Sequence, residues 1–388
     1  MKKFNILFFS SGRSDYDLIK PIMNEFKKLN YFNSYLILTG SHLSKRHGQT
    51  FKNIDQKLVK KFFKIDINSN YINYENFNLS FILAQKKFEK FFKKKKFDLA
   101  VILGDRYEAL AFGLSCFFKK IKIAHIHGGE ITQGSIDDTI RHLLTKLSNI
   151  HYVTNSEHQK RVIQLGEQPK SVVNAGLLGY ENILKMHFLN KKILLKKLKI
   201  NQNKKNILVS YHPVTKLSKK ENIYQFNQLL IALKKFSNFN IIFTSPNIDP
   251  GNKDITDRIK KFLKTSKHSY FFYSLGQKYF FSLAKSSEVF IGNSSSGILE
   301  IPFLKVPVIN IGIRQKKRYN FLKISHEQPN SKKIIKRIEM ILSKKDSKIL
   351  NIKRVNTSKK ISLSIINFLK NTKYINQKIF YDLKINTK

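Results

Sequence analysis

The sequence has one cysteine and no long apolar run. Cys116 is the single cysteine of 388 residues, so it cannot form an internal disulfide, and its apolar surroundings indicate a core side chain. No stretch is long and uncharged enough to predict a transmembrane helix. The N-terminal run MKKFNILFFSSGRSDY is short and broken by Gly12-Arg13, so we expect a first strand rather than a signal peptide. The chain is therefore expected in the cytoplasm.

Acidic residues are scarce: 26 Asp and Glu stand against 72 Lys and Arg, a formal net charge of +46. Such a charge is typical of proteins that bind nucleic acid or an anionic membrane, or of a composition biased throughout. The lysines are spread over every segment, and the densest run, residues 93–96, lies between apolar residues. No zinc-ligand spacing accompanies them. We expect biased composition, with no specific nucleic-acid partner, no membrane partner and no metal, although the positive field would attract a diphosphate.

Apolar residues make up 41% of the chain, enough to form the cores of two or three domains. Short apolar runs alternate with helical patterns in both halves, which is typical of α/β folds with a doubly wound parallel sheet. A helix and a short strand are expected within residues 52–65, and residues 331–371 are expected to be helical. Strands are expected at residues 4–10, 35–39, 99–103, 121–126, 206–211, 240–244, 270–273, 289–291 and 308–311.

A change of composition predicts the domain boundary. Residues 191–205 are rich in lysine, leucine and asparagine and contain neither Gly nor Pro, so we interpret them as a helix and a linker. The expected domains are residues 1–185 and 200–372, each Rossmann-like. The final helix is a candidate to pack back on the first domain.

Titratable residues are concentrated between residues 104 and 142. They follow neighbouring predicted strands or begin the next helix: Asp105, Arg106, His127, Glu130, Asp137 and Arg141. Because open α/β sheets bind ligands beyond the carboxyl ends of their strands, we expect these side chains to meet. Acids, arginines and histidine together are typical of a site for proton transfer beside an anionic substrate.

Two glycine turns predict anion contacts. The turn before residue 15 opens a helix, offers backbone N–H groups and carries Arg13. Residues 292–297, GNSSSG, add serine hydroxyls to such N–H groups, which suits a diphosphate. Glu300 is expected on the first turn of the next helix, where it could cap that turn or accept hydrogen bonds from ribose. Each turn alone is also compatible with an ordinary loop, and so is His212 at a strand end.

Nine motifs taken together resemble one protein family. They run in order from about residue 3 to about residue 320: GRSDYDLIK (12–20), TGSHLS (39–44), GDRYE (104–108), AHIHGGE (124–130), IDDTIRH (136–142), RVIQLGE (161–167), YHPVT (211–215), GNSSSGILE (292–300) and INIGIRQKKR (309–318). In these motifs the chain is similar to the hydrolysing UDP-N-acetylglucosamine 2-epimerases, especially the bacterial enzymes that begin sialic-acid synthesis. Each motif is modest alone, whereas the set is highly specific.

The resemblance implies a glycosyltransferase-B-like fold of two doubly wound domains facing a cleft. It implies a cytoplasmic, homodimeric enzyme without a cofactor that converts UDP-N-acetylglucosamine to UDP and N-acetylmannosamine through 2-acetamidoglucal. Carried onto matching positions, it implies catalysis by Asp105, Asp137 and Arg141. It also implies sugar contacts by Arg106 and His42, and nucleotide or phosphate contacts by Arg13, His212, Ser294, Ser295, Glu300 and Arg314.

Three positions depart from the family pattern. His127 stands where animal and non-hydrolysing relatives carry a glutamate, so the general base stays open among Asp105, His127, Glu130 and Asp137. Leu18 stands where some relatives have lysine. Ile313 replaces an aspartate expected before Arg314.

Three alternative functions remain open. A close variant would act on UDP-N,N′-diacetylbacillosamine, on the way to legionaminic acid. A glycosyltransferase of the same fold would need an acceptor and no acid-rich IDD loop. A non-catalytic nucleic-acid-binding protein is supported by charge alone.

Overall fold

The computed structural model describes residues 3–45, 48–67, 77–132, 135–247, 250–316, 318–319, 322, 324–343, 356–371 and 378–383. The chain divides into two compact units. The first comprises Met1–Glu130, Asp137–Glu181 and Val355–Lys388, and the second comprises Ile131–Ile136 and Asn182–Arg354. Among the described helices, none combines the length and apolar character needed to cross a membrane.

A seven-stranded parallel sheet forms the centre of the first unit. Its strands are β1 (Phe4–Ser10), β2 (Phe32–Leu38), β3 (Lys61–Lys64), β4 (Leu99–Leu103), β5 (Lys122–Ile126), β6 (Ile150–Val153) and β7 (Val172–Asn174). Its helices are α1 (Arg13–Lys27), α2 (Phe77–Phe92), α3 (Tyr107–Phe118), α4 (Asp137–Leu147), α5 (Ser156–Gln164), the beginning of α6 (Leu178–Leu184) and, near the C-terminus, Thr357–Lys370. The strand order is β3-β2-β1-β4-β5-β6-β7, the order of a doubly wound sheet.

Helices cover both faces of this sheet, which explains why its central strands are apolar throughout. Every residue of Leu99–Leu103 is buried. One face packs against α2, α3 and α4, and the other against α1 and the helix Thr357–Lys370. Parallel strands buried on both faces read as continuous apolar runs, and such runs carried the strand predictions.

The second unit has a six-stranded parallel sheet. Its strands are β8 (Asn206–Ser210), β9 (Asn240–Thr244), β10 (Ser269–Phe272), β11 (Val289–Gly292), β12 (Val308–Ile311) and β13 (Ser325–Glu327). Its helices are α7 (Lys191–Lys197), α8 (Lys219–Lys234), α9 (Asn252–Thr265), α10 (Gly276–Lys285), α11 (Ser296–Leu299) and α12 (Ser331–Ser343). The helix Thr357–Lys370, which belongs to the first unit, is α13 in chain order. The order β10-β9-β8-β11-β12-β13 repeats the arrangement of the first sheet. The prediction of two doubly wound α/β domains is confirmed.

Three expectations differ in detail. The helix expected within residues 52–65 is replaced by two 3₁₀ turns, Thr50–Asn53 and Gln56–Leu58, because the Asp55 carboxylate caps the second turn by accepting from the Lys57 N–H at 3.2 Å. Strand β13 was not predicted. The longer segment of the second unit begins at Asn182, whereas the sequence placed that beginning near 200, and Leu194 and Leu195 of α7 are buried in its core.

The expected helix over 331–371 is described as α12 and α13, and residues 344–355 lie outside the described residues. Helix α13 groups with the first unit, where Ile361 and Ile365 are buried beside α1. The chain therefore returns to its first unit after completing the second.

Candidate functional site

A buried ion pair holds the loop after β4 to helix α4. The Arg141 side chain is 1% exposed and pairs with the Asp105 carboxylate. Its Nη1 lies 3.4 Å from Asp138 Oδ1 and donates to the Glu130 carbonyl at 2.8 Å. Burial opposes the charge, but the Asp105 and Glu130 carboxylates raise the pKa of Arg141 above its ordinary value. The guanidinium thus stays charged and keeps Asp105 in place.

A histidine and a glutamate meet in the loop after β5. His127 Nδ1 lies 3.2 Å from Glu130 Oε1, an electrostatic contact that lacks the alignment of a hydrogen bond, and both side chains are buried. His127 has a φ of 68°, a conformation that costs energy for a residue other than glycine. Its backbone N–H donates to the Tyr152 carbonyl at 2.8 Å, which anchors this loop to β6. Strain held in place in this way is typical of functional loops.

This contact favours one position for the proton of the neutral His127 ring. A carboxylate beside Nδ1 favours the tautomer with the proton on Nδ1, leaving Nε2 as the acceptor. His127 Nε2 is buried and makes no hydrogen bond with the described residues. The arrangement can therefore accept a proton at Nε2 and stabilise the resulting charge through Glu130.

The other first-unit candidates lie in loops beyond β1, β2 and β4. Arg13 is the first residue of α1, and its Nε lies 3.8 Å from Asp17 Oδ2. Burial lowers the pKa of Arg13 although Asp17 opposes this, and burial raises the pKa of Asp17 to about 6. Arg106 is the N-cap residue of α3, without a capping bond from its side chain, and Asp137 begins α4. An acid in a first helical turn is stabilised by the helix dipole.

His42 is held more tightly than the sequence indicated. It is 0% exposed, and its Nε2 and Nδ1 lie 2.8 Å from the hydroxyls of Ser10 and Thr50, respectively. Burial lowers its pKa to about 4, so the ring stays neutral. Both ring nitrogens are engaged, so His42 contributes in this arrangement by fixing the loops after β1 and β2.

Glu108 is a buried acid that sequence reasoning left without a role. It lies on the first turn of α3 and is 4% exposed, with Oε2 making no hydrogen bond to any described residue. Burial raises its pKa to about 7, with Arg106 opposing and Asp15 and Asp137 adding to the rise. The apolar helix sequence YEALAFGLSCFF around it was the signal that could have indicated this burial.

In the second unit, Asn293 fixes the backbone of His212. Its Oδ1 accepts from the His212 N–H at 2.7 Å, and its Nδ2 donates to the His212 carbonyl at 2.8 Å. His212 Nδ1 in turn accepts from the Asn247 N–H at 3.0 Å, which places the ring proton on Nε2. Asn293 was quoted within its motif without a role, and nothing in the sequence indicated Asn247.

The serine turn follows β11 and packs closely on β8. Gly292 has a φ of 147°, and a Cβ there would collide with the Ser210 carbonyl, so only glycine fits. Ser294 and Ser295 stand at the start of α11. Arg314 is 6% exposed and donates from Nη1 to the Asn293 carbonyl at 3.1 Å, so this turn is held mainly by backbone and amide groups.

Glu300 was expected on the first turn of the helix after the serine turn, and the structure places it elsewhere. Helix α11 has only four residues, and Glu300 is the residue after its end. Pro302 explains the early stop, because its ring would clash with the carbonyl four residues earlier and it has no N–H to donate. Glu300 instead leads into the 3₁₀ turn Ile301–Leu304, and its backbone carbonyl accepts from the Phe303 N–H at 3.0 Å.

The structure thus groups the candidates by unit. Asp105, Arg141, His127 and Glu130 form one connected group in the first unit. His212, Ser294 and Arg314 are joined through Asn293 and its turn in the second. Within the described ranges, no three His, Cys, Asp or Glu side chains are arranged to hold a metal ion.

Comparison with known proteins gives consistent findings. The UDP-N-acetylglucosamine 2-epimerase family profile matches residues 24–370. A Campylobacter jejuni protein named GDP/UDP-N,N′-diacetylbacillosamine 2-epimerase (hydrolyzing) is 38% identical over 321 residues, which cover 82% of this chain and 83% of that protein. The Escherichia coli polysialic acid biosynthesis protein P7 is 37% identical over 320 residues, covering 82% and 80%.

A solved structure supports the fold. The UDP-GlcNAc 2-epimerase from Neisseria meningitidis, bound to UDP-GlcNAc, matches with a TM-score of 0.72 at 18% identity, covering 95% of this chain and 100% of that one. The fold class is glycosyltransferase-B-like. Because the family profile spans most of the sequence, the chain belongs to the UDP-N-acetylglucosamine 2-epimerase family.

Proposed function

We propose that this chain is a hydrolysing 2-epimerase that converts UDP-N-acetylglucosamine to UDP and N-acetylmannosamine. The observation that carries the proposal is the contact between His127 Nδ1 and Glu130 Oε1, beside the Asp105–Arg141 pair. Simple glycosyl transfer would not need such a group of proton-transferring residues after β4 and β5. Epimerisation at C2 needs them, because a C–H bond must be broken and reformed.

The first step is an elimination. Of the four residues left open as the base, we choose His127, because its buried Nε2 makes no hydrogen bond with the described residues. Asp105 pairs with Arg141, Glu130 lies against His127 Nδ1, and Asp137 is considered for the second step. Nε2 takes the C2 proton, the C2–H electrons form the C1–C2 double bond, and the C1–O bond breaks with its electrons leaving on UDP. The product is 2-acetamidoglucal.

The second step is a hydration. A protonated acid on the face opposite the base gives its proton to C2, where the C1–C2 double-bond electrons form the new C–H bond and the mannose configuration results. Water adds its oxygen to C1 and gives one proton to the carboxylate that this leaves, which restores the acid, while the base returns the C2 proton it took to the solvent. A second protic group is therefore required. The candidates are Asp105, in the loop between β4 and α3, and Asp137, the first residue of α4.

The second unit binds the nucleotide in this proposal. Ser294 and Ser295 supply hydroxyls, and the neutral His212 ring carries its proton on Nε2, where it can donate to a phosphate oxygen. Hydrogen bonds to the diphosphate would stabilise the charge that grows as UDP leaves.

The second candidate substrate is UDP-N,N′-diacetylbacillosamine. It is favoured by the name of the Campylobacter jejuni relative, which is 38% identical to this chain. The two sugars differ at C4 and C6, and the C1–C2 chemistry is the same for both. One mechanism therefore serves either substrate.

The test is proton NMR in deuterated water with each UDP-sugar. The proposal expects free UDP and solvent deuterium at C2 of a product with the manno configuration. Preference for the diacetylated sugar would select the second candidate. Transfer of the sugar to an acceptor without deuterium incorporation would show a glycosyltransferase and refute both.

The variants His127→Ala and Glu130→Gln refine the test. We expect a measurable loss of turnover in both, because one removes the base and the other removes the charge that supports it. The loss at His127 is expected to be the smaller if Glu130 can act as the base in its absence. Unchanged turnover in both would move the base to Asp105 or Asp137.

A further inference from the structure

His125 lies outside the proposed chemistry but connects the two elements that carry it. It is residue four of β5, two residues before His127, and it is 0% exposed. Its strand neighbour Ile123 belongs to the core beneath α3 and α4, so His125 points to the same face of the sheet. It therefore faces α4, the helix of Arg141.

The two ring nitrogens make different contacts. Nε2 lies 2.9 Å from the Gly104 carbonyl, which can only accept, so Nε2 carries a proton and donates. Nδ1 lies 3.3 Å from the Thr145 hydroxyl on α4. That hydroxyl is also 3.1 Å from the Arg141 carbonyl one turn earlier, so its single proton is shared between two acceptors, this carbonyl and Nδ1. One imidazole thus bridges the end of β4 to helix α4.

These contacts close a ring around the Asp105–Arg141 pair. Gly104 immediately precedes Asp105, the Asp105 carboxylate pairs with Arg141, and Thr145 is the residue four beyond Arg141. His125 completes the ring from Thr145 back to Gly104. The backbone passes close by: a Cβ on Gly128 would come within 3.2 Å of Thr145 Oγ1 and 3.3 Å of His125 Nδ1.

We propose that His125 is a positioning residue, which holds the Asp105 loop against helix α4 through its Nε2 proton and never contacts the substrate. It has no exposed surface, and both nitrogens are engaged within the protein. The consequence for catalysis rests on the proposed function.

The charge state of the ring agrees with this role. Burial is the largest effect on the pKa of His125 and lowers it to about 3. The nearby His151 and Arg141 lower it further, while the Gly104 carbonyl and Asp105 oppose the shift. His125 therefore keeps one proton across the range in which a catalytic histidine would titrate.

Two substitutions separate the two nitrogens. In His125→Gln the amide nitrogen takes the place of Nε2 and can still donate to the Gly104 carbonyl. In His125→Asn the shorter amide reaches only the place of Nδ1, so that bond is lost. A catalytic group displaced by about 1 Å can lose on the order of 10²-fold in rate, so we expect His125→Asn to lower kcat by about that factor. His125→Gln should keep most of it.

The readouts distinguish positioning from general damage. We expect the KM for the UDP-sugar and the Kd for UDP to stay unchanged in both variants, while kcat alone separates them. Equal kcat in Asn, Gln and wild type would overturn the proposal, and so would a parallel loss of UDP affinity. If His125→Asn does not fold, the same kinetic comparison is made between Thr145→Val and Thr145→Ser, because only serine keeps the hydroxyl next to Nδ1. We expect a lower kcat for the valine variant, and equal kcat in both would overturn the proposal.

A measurement without turnover keeps the proposal separate from the proposed function. Long-range proton–nitrogen NMR of the wild type, with His125 assigned by comparison with His125→Gln, reports which nitrogen carries the proton. We expect Nε2–H from pH 5 to pH 8. A proton on Nδ1, or a doubly protonated ring in that range, would overturn the proposal even if the chain turned over no UDP-sugar. Wild-type inactivity with this tautomer present would instead refute the proposed function alone.

Discussion

The loops of the two units are held by different kinds of groups, although both follow parallel sheets with the same strand order. In the first unit the contacts join ionisable side chains, as in the pairs Asp105–Arg141 and His127–Glu130. In the second unit the amide of Asn293 joins the backbone of His212 to the serine turn. Proton transfer requires groups that change charge, whereas a diphosphate needs donors that do not.

This difference has a consequence for stability. Buried ionisable groups make the free energy of unfolding depend on pH, because the folded and unfolded states bind different numbers of protons. The contacts that the Asn293 amide makes with backbone groups do not titrate, so they add no pH dependence to the free energy of unfolding. The comparison therefore predicts that substitutions which change charge have large effects on the stability of the first unit. In the second unit, the loss of hydrogen bonds is expected to account for the effects of substitutions that leave the charge unchanged.

The largest effect is expected at Arg141. Arg141→Met leaves Asp105 and Asp138 without their shared cation. Breaking a fully buried pair typically costs about 3–5 kcal/mol, which is the upper value here because these two acids are 24% and 21% exposed. The matched control is Arg337→Met in the second unit, where the arginine is 38% exposed and pairs with Glu327 at 2.6 Å. Exposed pairs contribute about 1 kcal/mol or less. Urea unfolding measures both, and similar losses would contradict the comparison.

A smaller effect is expected at Glu108, where the pKa is raised from 4.5 to about 7. The folded state binds more protons than the unfolded state between these values, so this contribution to stability is present at low pH and is lost as pH rises through 7. Glu108→Gln removes the titration, so it should be more stable than wild type at pH 8 by an amount on the order of 3 kcal/mol. At pH 4 the gain should vanish. Thermal unfolding at both pH values is the measurement, and an equal gain at both would show that charge is not the cause.

The converse experiment places a charge in the second unit. Asn293→Asp keeps the acceptor for the His212 N–H but puts a carboxyl where the side chain is 0% exposed. Burial should raise the pKa of that carboxyl, so the variant should lose stability as pH rises, which wild-type Asn293 cannot cause. Above that pKa the carboxylate also has no proton to donate to the His212 carbonyl, which adds a cost of about 1–3 kcal/mol in the same pH range. A melting temperature lowered equally at pH 4 and pH 8 would contradict the expected charge effect.

The smallest effect on stability, but a clear one on binding, is expected at the serine turn. Replacing Ser294 and Ser295 together with alanine removes two hydroxyls and leaves the turn of Gly292 and Asn293 in place. A hydrogen bond to a charged group contributes about 1.5–3 kcal/mol, so UDP affinity should fall about tenfold to a hundredfold. Calorimetric titration of UDP measures it. Unchanged affinity would remove the turn from the nucleotide site.

The sheets could be predicted from the sequence because buried parallel strands read as apolar runs of four to seven residues. The run LAVIL at 99–103 has the bounds of β4. Strand β13, Ser325–Glu327, escaped because it is short, polar and only partly buried. The two 3₁₀ turns near residue 55 were expected as a helix. The Asp55 side chain caps the second of them, and helical periodicity does not report such a contact.

The loops of the site could be located, but not the contacts within them. The predicted strand ends put Asp105 in the loop after β4 and His127 in the loop after β5, as the structure has them. The partner of each side chain depends on packing between α4, β5 and β6, which the sequence does not show. His125 shows the limit most clearly, because its role depends on the Gly104 carbonyl and on Thr145, at sequence separations of 21 and 20 residues. Glu108 shows the same limit, since its burial depends on neighbours such as the turn at Gly40, which are distant in the sequence.

The most direct test of the division between chemistry and nucleotide binding is the pair Asp105→Asn and Asp137→Asn, measured by product NMR beside UDP titration. General acid–base groups contribute about 10²–10⁴-fold, so we expect each variant to lose at least a hundredfold in turnover. UDP affinity should be unchanged in both, because the proposed phosphate contacts lie in the second unit. Full turnover in both variants, or a loss of UDP affinity that matches the loss of turnover, would contradict the account.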